Sequence, residues 1–379
     1  MSRTLIVDPQ PSGHCAFYLS LIVQAFPAGS VRLLTPTGNP ELAAHFHRRN
    51  LDPADFAAFV PRSVRAEDVV AQAAELFREH CFDRVFFAYL DTYLKELLTS
   101  PDAFPCPVAG IWFHPYPLDR RYAWLPPLDK RLSHRRAIHR GLHSLPNSLK
   151  IERIFFLDPD APSALARINP DIPTGLLPDP WEKPPALTRS AARERFHIPA
   201  ERTVFLHIGS SEKRKGLPDT LAAFHALSKE PVLAEKLLLL RVGENGRLKP
   251  ADRAVLTELA AKGMARIVDE YVPESDFLEY FSAADWVLLP YRNFRYSSGI
   301  LSNAIGAGKP VIAADSGLIA RTVRESSLGL RFRHGSSKDL ARAIRQAASA
   351  DAPAISPELR QSLAPERFIS ALGQGLHPS

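Results

Sequence analysis

The chain has 379 residues, which suggests two domains, and its 45% hydrophobic and 23% charged content are globular proportions able to bury two sizeable cores. A run of eighteen apolar residues is absent, so no transmembrane span is expected, and the opening M-S-R-T-L-I-V-D-P reads as a first strand without a signal-peptide core. The formal charge of +6 and pI of about 9.2 suit an anionic ligand or an anionic membrane face, but no long Lys/Arg block marks a nucleic-acid tail.

Cys15, Cys81 and Cys106 lie far apart and form no C-x-x-C pair, so neither a zinc site nor a disulfide framework is expected; a reducing cytoplasm fits best. The 34 prolines fall largely between predicted elements, as stops.

Arg3 to Asp8 is an apolar strand that ends at an acid and runs into P-Q-P-S-G-H; Cys15 to Phe26 follows with apolar residues at helical spacing. Gly13 and His14 therefore stand beyond the carboxyl end of a strand, where open α/β sheets meet ligands. His14 also fits a helix-cap or surface histidine. Val31 to Thr35 is the second strand, Pro40 to Asn50 and Ala66 to His80 are helices, Arg84 to Ala88 is a strand, and Tyr89 to Leu98 is helical. Pro107 to Phe113 is a further strand that ends at His114, which stands where a ligand would be met or is a plain loop histidine. Arg120 to Arg140 is basic: a solvated helix face is favoured, and the alternative is a contact for a phosphorylated or lipid-linked acceptor or an anionic membrane surface. Ile151 to Leu157 is a strand, and the proline-rich Leu176 to Pro185 reads as a hinge.

Beyond it, Leu187 to Phe196 is a basic helix. The strand Thr203 to Ile208 runs into Gly209 to Gly216, a loop carrying Lys213, Arg214 and Lys215, before a helix from Asp219 to Leu227. Three clustered cations at a strand's carboxyl end favour a visiting anion over a solvated turn. Lys236 to Val242 is a buried strand ending at Gly243-Glu244-Asn245-Gly246; Ala265 to Val268 with Val272-Pro273 gives a short strand and turn. Glu274 to Ala284 is helical, and Ala284 to Tyr291 reads as a structural strand. The stretch Tyr296 to Gly317 is turn, helix, turn, strand, turn. Ser297 and Ser298 are expected caps and Gly299 permits close backbone approach to a ligand. The helix runs from about Ile300 to Ala307, Gly308 stops it, and Val311 to Ala314 is a buried parallel strand. Such a helix start favours phosphate, although an ordinary αβ unit would look alike. Arg321 to Ser326, Ser337 to Ala348 and Pro365 to Leu372 are helical, with Gly329 to Phe332 a strand.

The run G-K-P-V-I-A-A-D-S-G behind a small-residue loop and a helix resembles the nucleotide-sugar site of GT-B glycosyltransferases of the family-4 type, the glycosyl transferases group 1. The family pattern is E-G-F-G-x-x-x-x-E-A-x-A-x-G-K-P-V-I-A; its two glutamates, which contact donor sugar and ribose, fall here on Arg295 and Asn303. The loop Gly209 to Gly216 is similar to the family's G-R-x-x-x-x-R-K-G diphosphate loop. Lys215 matches its lysine, Ser210 stands where the arginine belongs, and Lys213 or Arg214 is left to supply the missing charge. Gly243 and Glu244 resemble the turn that lines the nucleotide, and His114 resembles the histidine that contacts the donor sugar.

The resemblance implies an α/β GT-B fold of two Rossmann-like doubly wound domains facing a cleft. Residues 1–178 would form an acceptor-side domain, 179–362 a nucleotide-sugar domain, and 363–379 a helix crossing back to the first. It implies a retaining, metal-independent transfer of sugar from a nucleotide-diphosphate sugar to a glycan, lipid-linked glycan or small molecule, without a cofactor. His114 and Lys215 would be catalytic. Gly13, His14, Gly209, Ser210, Lys213 and Arg214 would contact the donor, with Gly243, Glu244, Ser297, Ser298, Gly299, Ile300, Leu301 and Asn303 completing its site. The expected location is cytoplasmic, with peripheral contact at the inner membrane face through Arg120 to Arg140. The lost glutamates suit an alternative, a non-catalytic nucleotide- or glycan-binding scaffold. An epimerase would want clustered carboxylates, and a nucleic-acid binder basic residues interleaved with aromatics; neither pattern is present.

Overall fold

A computed structural model describes residues 3–11, 13–56, 58–99, 107–118, 130–145, 148–272 and 274–376. The chain forms two compact units: Met1–Pro178 together with Glu366–Ser379, and Asp179–Pro365.

The first unit is built on β1 (Thr4–Val7), β2 (Val31–Leu34), β3 (Ala58–Phe59), β4 (Arg84–Phe87), β5 (Val108–Trp112), β6 (Ile151–Phe156) and β7 (Thr174–Leu176). They form one sheet in the order β3-β2-β1-β4-β5-β6-β7, parallel at each pairing. The central strands β1, β4 and β5 are largely apolar and buried because both of their faces are covered. Period-two alternation splits them between two cores: Leu5, Val7, Val85 and Phe87 enter one, Ile6, Leu33, Phe86 and Ile111 the other. The second core also takes Phe368, Leu372 and Leu376, spaced one helical turn apart on the helix Pro365–Leu376.

The second unit carries β8 (Thr203–Ile208), β9 (Leu237–Val242), β10 (Ala265–Val268), β11 (Trp286–Leu289), β12 (Val311–Ala314) and β13 (Gly329–Phe332). Its sheet order is β10-β9-β8-β11-β12-β13, again parallel. In both sheets the chain winds outward one way from a central strand and then the other way. The reversals fall between β1 and β4 and between β8 and β11. A crevice opens at the carboxyl ends of the strands at such a reversal, because the flanking loops diverge to opposite faces.

Several elements differ from the sequence expectation. The two-residue β3 and the edge strand β7 are too short to show a period. The helix Pro250–Ala261 buries only Leu256 and Leu259, too few to mark an apolar stripe. Helices Pro231–Lys236 and Pro357–Ser362 bury nothing and were equally invisible. The helix expected from Arg321 already starts at Gly317 and runs to Glu325. Among the described residues no helix is long and apolar enough to cross a membrane.

Candidate functional site

The loops that leave β8 and β11 are fastened together at the reversal of the second sheet. Gly216, with φ of 70°, ends the turn Lys213–Lys215; a Cβ there would lie 1.8 Å from the carbonyl oxygen of Pro290, so only glycine permits this approach. The Arg292 N–H donates to the Arg214 carbonyl at 2.8 Å, and the Arg292 guanidinium pairs with buried Asp219. Between these fastenings stands Tyr291, 6% exposed. Lys215 Nζ donates to its hydroxyl at 2.9 Å and lies 4.5 Å from its ring centroid. The same hydroxyl is 3.1 Å from Ser298 Oγ.

Ser298 is the residue before the helix Gly299–Gly306, yet its side chain makes no capping hydrogen bond. The expected cap is thus replaced: the hydroxyl is engaged by Tyr291. The helix itself begins one residue earlier than the sequence spacing suggests. Its first-turn N–H groups, Gly299, Ile300 and Leu301, have no carbonyl one turn back to bond, as at any helix start. Ser297 is half-buried and Gly299 exposed.

Under the loop lie two buried bases. Arg241, 0% exposed, donates from Nη1 to the Gly209 carbonyl at 2.7 Å, from Nη2 to the Glu244 carbonyl at 3.1 Å and from Nε to Asn245 Oδ1 at 2.9 Å. One guanidinium therefore ties the turn after β8 to the turn after β9. Burial lowers its pKa to about 10, opposed by Asp269, so it stays charged at neutral pH. His207 Nε2 is 3.2 Å from the Lys215 carbonyl; burial, and secondarily Arg241, push its pKa down to about 3, so the ring is neutral and donates through Nε2.

The three cations of the loop diverge. Lys213 is exposed; Arg214 is exposed and pairs with Glu212 at 2.8 Å; Lys215 alone of the three bonds Tyr291. Ser210 is half-buried next to Ser211, whose N–H donates to the Glu244 carbonyl at 3.1 Å. The Gly243 N–H donates to Val268, and the Glu244 side chain is exposed. Asn303, half-buried at the position of the family's second glutamate, accepts the Glu182 N–H through Oδ1 at 2.8 Å, so its amide oxygen is engaged by backbone. Arg295 is exposed, and its carbonyl accepts from Leu318.

In the first unit His114 follows β5. Its N–H and that of Phe113 donate to Asp91 at 2.8 and 2.9 Å, and its Nδ1 is 3.0 Å from Tyr89 Oη. The Gly13 N–H is donated to Glu41 Oε2 at 2.6 Å, which leaves that amide committed; His14 begins the helix His14–Ile22 and is exposed. Of the basic stretch, Arg120 and Arg121 lie outside the described residues, as does Cys106. Residues 122–129 also lie outside the described residues; from Lys130 on, the stretch belongs to the helix Lys130–His143, in which Ile138 and Leu142 are buried and Arg135 lies 4.5 Å over the Tyr116 ring. Among the described residues no group of three or more His, Cys, Asp or Glu side chains could hold a metal ion.

Two members of this site escaped the sequence reading. Tyr291 looked like the end of a structural strand, although its place just after Pro290 at the carboxyl end of β11 was a signal. Arg241 is a cation in the otherwise apolar run L-L-L-L-R-V, an oddity that marks a buried charge with partners.

Residues 188–365, within the second unit, match the family model described as glycosyl transferases group 1. Two curated relatives are D-inositol 3-phosphate glycosyltransferases. That of Streptomyces bingchenggensis is 30% identical over 168 residues, 43% of this chain and 36% of the relative. That of Nocardia farcinica is 30% identical over 162 residues, 41% and 35%. The alignments thus span only about a third of the relatives' length. Among solved structures, sucrose-phosphate synthase from Thermosynechococcus elongatus superposes with a TM-score of 0.66 at 15% identity, covering 99% of this chain and 93% of that one. Anabaena HepE in complex with UDP gives 0.65 at 14%, covering 99% and 94%. WaaG, a glycosyltransferase involved in lipopolysaccharide biosynthesis, gives 0.65 at 17%, covering 99% and 95%. At such identities the shared property is the fold, which is GT-B.

Proposed function

We propose that this protein is a glycosyltransferase that moves a sugar from a nucleotide-diphosphate sugar to a glycan, lipid-linked glycan or small-molecule acceptor, with retention and without a metal or cofactor. One observation carries the reading. At the reversal of the second sheet, the Lys215 ammonium, the Tyr291 hydroxyl and the Ser298 hydroxyl form a hydrogen-bonded row that ends at an uncapped helix start. A cation, a hydroxyl and first-turn N–H groups around one point are the donors a diphosphate needs.

The barrier in sugar transfer is charge separation between the anomeric carbon and the departing diphosphate. Lys215 and the N–H groups of Gly299 to Leu301 would stabilise that leaving group, with Lys213 or Arg214 adding charge from the same loop. His114, oriented by Asp91 and Tyr89, would position the donor sugar. HepE has been solved with UDP and with UDP-glucose, which supports a uridine nucleotide as the first donor to try. The basic helix Lys130–His143 supports peripheral contact with an anionic membrane face, on the cytoplasmic side.

Calorimetric titration with UDP, GDP, ADP and CMP tests the donor site, on the wild type and on Lys215→Ala. One nucleotide should bind saturably and lose about tenfold or more in affinity in the variant, about 1.4 kcal/mol. A folded sample that binds none of the four rules the transferase out.

A second reading is favoured by Arg295 and Asn303 at the positions of the family's glutamates, with the Asn303 oxygen bonded to Glu182. In it the chain binds nucleotide or glycan as a scaffold. Nucleotide binding without hydrolysis or transfer of any nucleotide sugar would select that reading.

A further inference from the structure

We propose that Tyr291 is the positioning residue of the donor site: its hydroxyl receives the Lys215 ammonium on one side and directs its own hydrogen to Ser298 on the other, setting both groups for the diphosphate. The inference rests on the donor-site reading above.

An ammonium can only donate, so the 2.9 Å contact occupies a lone pair of the phenol oxygen. A phenol polarised by a cation is the better donor of the Tyr291 and Ser298 pair, so its hydrogen goes to Ser298 Oγ at 3.1 Å. Ser298 then keeps its own hydrogen for a third partner. The serine stands before its helix with extended backbone, φ −141° and ψ 117°, from which a side chain can cap. Asn39, Thr188, Ser336 and Ser356 do so at their own helices. Tyr291 holds Ser298 off that bond, which leaves the first-turn N–H groups of Gly299 to Leu301 to a ligand. The phenol has little freedom to do otherwise. It is 6% exposed, it follows Pro290, whose carbonyl lies against Gly216, and its ring stands edge-on to Phe294 at 5.3 Å.

The test is a double-mutant cycle on UDP affinity with Tyr291→Phe, Lys215→Ala and their combination. Phenylalanine keeps the ring beneath the ammonium and removes only the hydroxyl. Tyr291→Phe should lose about five- to tenfold in UDP affinity, and most of that loss should vanish in the Lys215→Ala background. A merely structural tyrosine would give losses that multiply, and that result overturns the inference. So does a Tyr291→Phe protein that binds UDP as the wild type does while Lys215→Ala is weakened; the donor site would then stand without it. Should Tyr291→Phe fail to fold, Ser298→Ala replaces it in the same cycle. Its coupling to Lys215 is expected because the phenol links them, and additivity refutes it. A wild type that binds none of the four nucleotides removes both readings together.

Discussion

Asn303 Oδ1 accepts the backbone N–H of Glu182 at 2.8 Å, binding the middle of the helix Gly299–Gly306 to the segment with which the second unit begins. Three residues on, the same helix presents Gly306 to Trp181, whose own indole N–H donates to the Arg360 carbonyl at 2.7 Å. The helix therefore has two duties. Its start borders the proposed donor site, and its far half holds the entering chain.

The first duty of Asn303 is accordingly structural. Asn303→Ala leaves the Glu182 N–H, in a residue only 4% exposed, without its acceptor. We expect a stability loss of about 1–2 kcal/mol in urea denaturation, with UDP affinity changed less than about threefold. A tenfold fall in affinity at unchanged stability would mean that the amide meets the nucleotide after all.

Gly306 is the tighter constraint. A Cβ there would stand 2.6 Å from Trp181 Cβ and Cγ, atoms close to the backbone that cannot swing aside while Nε1 and the Trp181 N–H are both bonded. Gly306→Ala gains about 1 kcal/mol of helix propensity but overpacks this contact. We expect a net loss of about 1–2 kcal/mol, and more for Gly306→Val, read by thermal unfolding with tryptophan fluorescence. Gly306→Ala more stable than wild type would show that the indole moves.

Two buried groups give the units opposite responses to pH. Asp8, 5% exposed at the end of β1, has its pKa raised from 3.8 to about 7 by burial, against a weaker effect of the Gln10 N–H. Between those values the folded chain holds a proton that the unfolded chain releases, so its contribution falls as pH rises from about 4 to 7. His207 has its pKa lowered from 6.5 to about 3, so between those values only the unfolded chain is protonated and stability falls as pH drops. Asp8→Asn should therefore flatten the loss toward neutral pH, and His207→Gln the loss toward acid, each by an amount on the order of 4 kcal/mol across its full window. Chemical denaturation of both variants at pH values spanning about 4 to 7 checks this; identical profiles for Asp8→Asn and wild type would show that Asp8 is not held neutral.

The doubly wound class was legible in the sequence because its signals are local. Apolar strand runs such as V-F-L-H-I and L-L-L-L-R-V end at glycines, helices follow, and prolines separate them. The stretch around Gly308-Lys309-Pro310 carried the family resemblance for the same reason: its residues are contiguous, and the match over 188–365 agrees with it. What no local pattern could decide is which loops meet. Lys215 and Tyr291 are 76 residues apart, and their contact exists because β11 pairs with β8, a sheet order set by packing and not by spacing. The Gly216 and Pro290 approach follows from that pairing, and the Arg241 tie from the pairing of β9 with β8. A side chain's candidate chemistry is written in its residue type; the partner that directs that chemistry is assigned only when distant segments share one edge of a sheet.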